Sequence, residues 1–205
     1  MAYARPVAGN PIVLRSGAEV EDPLSVVLGY VAAGWALDER EPSPPASFGE
    51  YDLRLANRDG ARISAAEIAA ILERRPAIER ALRAIAPDAS LAGASGAVPW
   101  PALRALFDGF ADIRGVGFSK ATKALHRKRP ALIPMLDSVV QKHLADDDPG
   151  PDAPYGERAL GLVRGYKREL DGNRAPIRAV RRELARRGYE LTEVRILDLV
   201  IWSVG

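Results

Sequence analysis

The chain contains no cysteine. That excludes disulfides, cysteine-ligated zinc and iron–sulfur clusters together. Histidine is scarce as well. His126 and His143 lie far apart and show no metal-ligand spacing with acids, so no metal site is expected. A P-loop, a dinucleotide fingerprint and a Ser-His-Asp arrangement are all missing, and no cofactor is expected. No apolar run approaches about 18 residues, which argues against a membrane span. The opening stretch, MAYARPVAGNPIVLRSG, lacks the apolar core of a signal peptide. The expectation is a soluble, cytoplasmic monomer with no membrane partner. An excess of one charge sign is lacking too: 29 Lys and Arg stand against 27 Asp and Glu, a formal net charge of +2. Bulk charge alone does not point to nucleic acid, so the distribution of charge has to be examined.

What the chain does have is apolar material, 47% of 205 residues, enough to bury one core or two small ones. Charge is divided along its length. Residues 1–60 carry more acids than bases, whereas 164–187 reverse this with Arg164, Lys167, Arg168, Arg174, Arg178, Arg181, Arg182, Arg186 and Arg187. Residues 21–37 read as a mostly buried helix with acids at its start. Three prolines and a glycine make 41–49 a loop. Residues 51–57 alternate and suggest a short strand or an extended lead-in. Ser64 and Glu67 form a capping box that opens a helix to about Arg75. Pro76 starts the next, to about Ile85. Residues 86–99 have linker composition. They separate an N-terminal helical part (1–95) from a second helical part (96–205), the two packing as one unit with a cleft between them. Further helices are expected from Pro101 to about Asp112, from Ser119 to about His126, from Asp137 or Ser138 to Leu144, and over 155–170, 175–187 and 193–203. The fold class is all-α.

The richest stretch is IRGVGFSKATKALHRKRPALIPMLD, residues 113–137. Gly115-Val116-Gly117 is a tight turn between two apolar-periodic helices. Glycines there let the backbone approach a phosphate, and the N–H groups opening the next helix favour an anion. Arg114, Lys120, Lys123, Arg127, Lys128 and Arg129 follow with no acid among them, which suggests a polyanion. One carboxylate, Asp137, stands just before a new helix. Asp137 is also a natural helix N-cap, and Gly-x-Gly also makes an ordinary corner between helices.

The run IRGVGFSKATKAL followed by IPMLDSVVQKHL resembles the helix-hairpin-helix base-excision DNA glycosylases, whose motif reads roughly L-P-G-V-G-x-K-x-A, an apolar stretch, then V-D-T-H-V. The likeness covers about residues 101–144, and the spacing from turn to aspartate matches without a gap. The whole chain also resembles an uncharacterised family of small actinobacterial proteins. The first resemblance implies a helix-hairpin-helix glycosylase-like fold with Asp137 as the catalytic aspartate. It implies that Arg114, Gly115, Gly117, Ser119, Lys120 and Lys123 contact double-stranded DNA. Two departures matter. The catalytic lysine of bifunctional members falls at Ser119, and Lys120 lies about 100° further round the helix. Lyase chemistry through a Schiff base is therefore not expected. The Thr-His after the family's aspartate is Ser138-Val139 here.

Breaking an N-glycosidic bond builds positive charge on the sugar, which a fixed carboxylate can stabilise while water attacks. The target base must first leave the stack and enter a walled pocket. Trp35, Tyr51 and Asp52 are the pocket candidates, with Phe48, Trp100, Trp202 and Glu50 behind them; large aromatics also fill cores. Arg178, Arg181, Arg182 and Arg186 form a possible second DNA-facing stripe or a solvated face. The leading expectation is a monofunctional DNA glycosylase, acting in repair or on hypermodified phage bases in antiviral defence. A non-catalytic DNA-binding hairpin protein and a helical interaction protein are the alternatives.

Overall fold

A computed structural model describes residues 11–35 and 42–205. Among them the regular structure is ten α-helices and one two-stranded antiparallel ribbon. The ribbon pairs β1 (Ile12–Val13) with β2 (Glu19–Val20). The helices are α1 (Pro23–Tyr30), α2 (Glu50–Arg58), α3 (Ala65–Glu73), α4 (Arg75–Arg83) and α5 (Trp100–Asp108). They continue with α6 (Phe118–His126), α7 (Ser138–His143), α8 (Tyr155–Gly172), α9 (Arg174–Arg186) and α10 (Glu193–Val204). The all-α class holds.

The strand expected near 51–57 is a helix, α2. Its burial pattern explains the change. Asp52, Leu53, Leu55 and Ala56 are buried, a helical face that looks like alternation over so short a window. Asp52 also takes the Gly49 N–H at 2.9 Å, as an acid in a first turn should. The short strands lie instead at 12–13 and 19–20. Asn173 fastens β1 by exchanging hydrogen bonds with Val13 at 3.1 and 3.0 Å. The capping box at α3 forms as read: Ser64 N–H donates to Glu67 Oε2 at 2.8 Å and Glu67 N–H to Ser64 Oγ at 3.3 Å.

α1 is capped by Asp22 and runs into a wider turn over Val31–Trp35, where Gly34 takes φ +79°. The remainder of the helix expected over 21–37 lies outside the described residues. The linker-like stretch 86–99 is tied down. Leu91 is fully buried, its N–H meets Ala131 O at 2.9 Å, and Lys167 Nζ binds Leu91 O and Gly93 O at 2.9 and 3.0 Å.

α10 is the axis of the C-terminal half. Every residue from Glu193 to Ile201 is buried, and α1, α7, α8 and α9 pack round it. A helix apolar on all sides belongs inside a core. α10 carries three buried charges: Glu193 at its first position, and Arg195 and Asp198, three apart and so on one face. That face meets the segment leading to Asp137.

Candidate functional site

The hairpin forms. Val116 N–H donates to Ile113 O at 3.0 Å and Gly115 takes φ +83°. This is the turn class that needs a glycine at its third position. A Cβ on Gly115 would also collide with Glu67 Oε1. Gly117 then stands as the N-cap of α6 in extended backbone, with no side-chain cap beneath it. The first N–H groups of α6 therefore face outward. They border a groove lined by Asp59, Gly60, Ala61, Arg62, Gly115, Gly117, Ser119, Lys120 and Lys123. Arg114, at the second position of the turn, is exposed.

The cationic run divides. Arg127 bonds Asp59 through two nitrogens at 2.8 and 3.0 Å. Lys128 is buried and pairs with Asp52 at 2.8 Å. Arg129 is buried and donates to the carbonyls of Leu82, Ile85, Pro45 and Lys128. These three cations hold the fold together and do not face a polyanion. Lys120 binds both oxygens of Glu67, at 2.7 and 2.8 Å, and that pairing holds the Glu67 carboxyl below its usual range. Lys123 reaches Gly60 O at 3.3 Å and lines the groove.

Gly117→Ala tests the groove cleanly. Its φ is −88° and a Cβ there meets nothing within 4 Å, so alanine costs the fold no more than about 1 kcal/mol through a poorer cap. The new methyl obstructs the outward N–H groups. The expected result is a loss of DNA affinity of about tenfold, equal across sequences, in a fluorescence-anisotropy titration. Unchanged affinity removes the clamp role.

Asp137 caps α7. Its Oδ1 accepts from Val139 N–H at 3.1 Å and from Val140 N–H at 3.0 Å. Oδ2 takes no hydrogen bond from the described residues. The preceding extended segment is pinned from two helices. Thr122 Oγ1, on α6, accepts from Leu136 N–H at 3.0 Å, and Asp198 Oδ2, on α10, accepts from Met135 N–H at 3.3 Å. His126 Nδ1 meets Ile133 O at 2.6 Å; burial pulls this histidine down to about 3, so it stays neutral and donates. The hairpin helix and the aspartate are thus fixed to one another through Thr122 and His126.

Asp137 lines a cavity of about 510 Å³ with Tyr30, Gly34, Arg58, Asp59, Gly60, Lys123, Met135, Val139, Arg195 and Trp202. Tyr30 and Trp202 meet edge to face, centroids 6.2 Å apart. The Arg195 guanidinium lies 4.8 Å from the Trp202 ring centre, and its Nη1 is 3.4 Å from Met135 Sδ. Asp59, Gly60 and Lys123 border both the cavity and the hairpin groove, so the two adjoin.

Among the pocket candidates, Trp202 lies in this cavity. Trp35 ends the turn after α1 and its side chain lies outside the described residues. Tyr51 is half exposed on α2, and Asp52 is buried with Lys128; neither borders the cavity. Phe48 sits in the core against Phe110 at 5.9 Å, and Trp100 lies under Arg164 at 5.3 Å. Glu50 pairs with Arg54 on the surface. Arg178 and Arg181 share Glu193, and Arg186 shares Glu183 with Arg187, so that stripe is only partly compensated. Tyr30, Arg195 and Asp198 were not legible as site residues from motifs. Their signal is a charge pair inside the apolar run VRILDLVIW.

Burial pushes Asp198 up to about 7, although Arg195 and the Met135 N–H pull the other way. The folded state therefore keeps a proton that the unfolded chain releases near 3.8. This contribution to stability is complete below pH 4 and is lost as pH rises through 7. At about 1.4 kcal/mol per pH unit the loss is roughly 4 kcal/mol. Asp198→Asn removes it. The variant is expected to match the wild type near pH 4 and to melt several degrees higher at pH 8. An equal melting shift at both pH values contradicts a buried, proton-retaining Asp198.

No match was found among curated proteins, and none among solved structures. A family model does match, over residues 37–205, which include the hairpin, Asp137 and the cavity-lining residues other than Tyr30 and Gly34. The chain belongs to that family, DUF6308, a family of unknown function.

Proposed function

We propose that the protein is a monofunctional DNA N-glycosylase that hydrolyses the bond between deoxyribose and a flipped, damaged or modified base. One observation carries this reading. A carboxylate with an oxygen to spare, Asp137, lines an aromatic-walled cavity that adjoins the hairpin groove. Backbone amides at the start of α6 hold a phosphate, with Arg114 and Lys123 adding charge beside it. Tyr30 and Trp202 receive the extruded base. As the C1′–N bond breaks, its electron pair passes to the base nitrogen and positive charge grows on the sugar. Asp137 Oδ2 stabilises that charge and orients water. Water forms the new C1′–O bond and loses one proton; the departing base gains one.

Lys120 supports the monofunctional assignment. The Lys120 ammonium is engaged by both oxygens of Glu67 and is not placed to attack a sugar carbon. The cap role of Asp137 favours the second reading, a hairpin protein that binds DNA without chemistry, since two N–H bonds already explain an aspartate there. Both readings share the groove; base release from duplex DNA, wild type beside Asp137→Asn, separates them. Excision of hypermodified phage bases belongs to the same chemistry as repair.

A further inference from the structure

We infer that Arg62 is a second arm of the hairpin clamp: its guanidinium takes a backbone phosphodiester of DNA in the groove between the turn after α2 and the start of α6. The inference rests on the DNA-binding part of the glycosylase reading and adds to it a residue that no motif marks. The charged residues lining the groove are Asp59, Arg62, Lys120 and Lys123. Asp59 is bonded twice by Arg127, and Lys120 is held by both oxygens of Glu67. Lys123 reaches the Gly60 carbonyl at 3.3 Å. Arg62 is exposed and, among the described residues, makes no hydrogen bond, ion pair or ring contact.

The backbone forces that side chain outward. Asn57 clamps Ile63: its Oδ1 accepts from the Ile63 N–H at 2.6 Å and its Nδ2 donates to the Ile63 carbonyl at 2.9 Å. Ala61 N–H donates to Ala56 O at 3.0 Å. Ala61 and Ile63 are both buried, so the residue between them bulges into solvent, and it does so at φ +55°. Left-handed backbone suits glycine and strains any L side chain. Gly60 and Gly115, in the same groove, meet that demand as glycines, at φ +78° and +83°. Position 62 meets it with an arginine whose side chain bonds to nothing in the fold. Strain kept for a side chain that the fold does not use points to a role outside the fold.

The turn that carries Arg62 is fixed to the hairpin helix. Lys123, on α6, donates to Gly60, and Arg127, the C-cap of α6, holds Asp59. The outward N–H groups of α6 and the Arg62 side chain thus border one groove whose walls are tied together before DNA arrives. A guanidinium keeps its charge and offers paired donors to two oxygens of one phosphate. The amides give the anion its position, and Arg62 supplies charge from the other wall.

The test titrates the full chain against a random-sequence duplex by fluorescence anisotropy over a series of salt concentrations. Arg62→Gln is expected to bind about tenfold more weakly and to lower the slope of log affinity against log salt by about one. Arg62→Gly should show the same loss with a melting temperature unchanged or raised, because glycine relieves the left-handed backbone. Arg62→Lys should keep the slope and lose only part of the affinity. Arg83→Gln removes one charge from the exposed side of α4, outside the groove, and should behave as wild type. Wild-type affinity and slope in Arg62→Gln, an equal change in Arg83→Gln, or no DNA binding by the wild type overturns the inference. Base release is counted in parallel from duplexes carrying modified bases. Weakened binding by Arg62→Gln with no release by the wild type sinks the glycosylase reading and leaves the Arg62 clamp standing. Release by the wild type with unchanged binding by Arg62→Gln does the reverse.

Discussion

Asp52→Ala is expected to destabilise the protein by about 3–5 kcal/mol, enough to unfold a marginal domain at growth temperature. The Asp52 carboxylate is at the junction of a loop, a helix start and a buried lysine. It bonds Lys128 Nζ at 2.8 Å, Ser43 N–H at 3.0 Å, Ser43 Oγ at 2.7 Å and Gly49 N–H at 2.9 Å. Removing it leaves Lys128 charged and buried, with only Ser43 and the Pro44 carbonyl as acceptors. Burial already lowers the lysine's pKa, and Asp52 is the main force opposing that. Urea denaturation checks the effect: the midpoint falls while the slope is kept. Adding Lys128→Met to Asp52→Ala is expected to recover part of the loss, because the stranded charge goes with it. A loss below about 1 kcal/mol contradicts the burial of this pair.

Asp137→Asn is expected to cut base release at least about a hundredfold while leaving DNA affinity unchanged or slightly higher. The substitution separates the two roles of the side chain. Asparagine caps a helix about as well as aspartate, so the bonds to Val139 and Val140 survive and α7 stays formed. The negative charge does not survive, and only the charge stabilises an oxocarbenium-like sugar. Thr122, His126 and Asp198 still fix the segment before it. Melting temperature therefore serves as an internal control: it should move by no more than a few degrees. Loss of activity with a collapsed melting temperature would assign Asp137 to the fold alone.

The sequence was most legible where the signal is local. The Ser64–Glu67 capping box, the Gly115 turn and Asp137 as a helix start each need only a few neighbouring residues, and each forms. Residues 51–57 were not, because a seven-residue window with Leu53 and Leu55 fits either period, and the decisive Gly49–Asp52 bond is a tertiary detail of a loop exit. The cations at 127–129 looked like a surface stripe. Their partners lie far away in sequence, Asp59, Asp52 and the carbonyls ending α4, so nothing local marks them as internal. The cavity walls were hidden for the same reason. Tyr30 on α1 and Trp202 on α10 meet only because α10 runs through the core beside α1. Arg195 and Asp198 are the intermediate case. Two charges inside an apolar helix are visible in the sequence, but what they face is decided by the segment from Pro130 to Asp137.

The most direct measurement is a count of free base and abasic sites from duplexes carrying single modified bases. The account expects one free base for each alkali-labile site with the wild-type protein, and almost none with Asp137→Asn at equal DNA binding. Equal release by the two proteins, or no release by the wild type from any duplex, contradicts it.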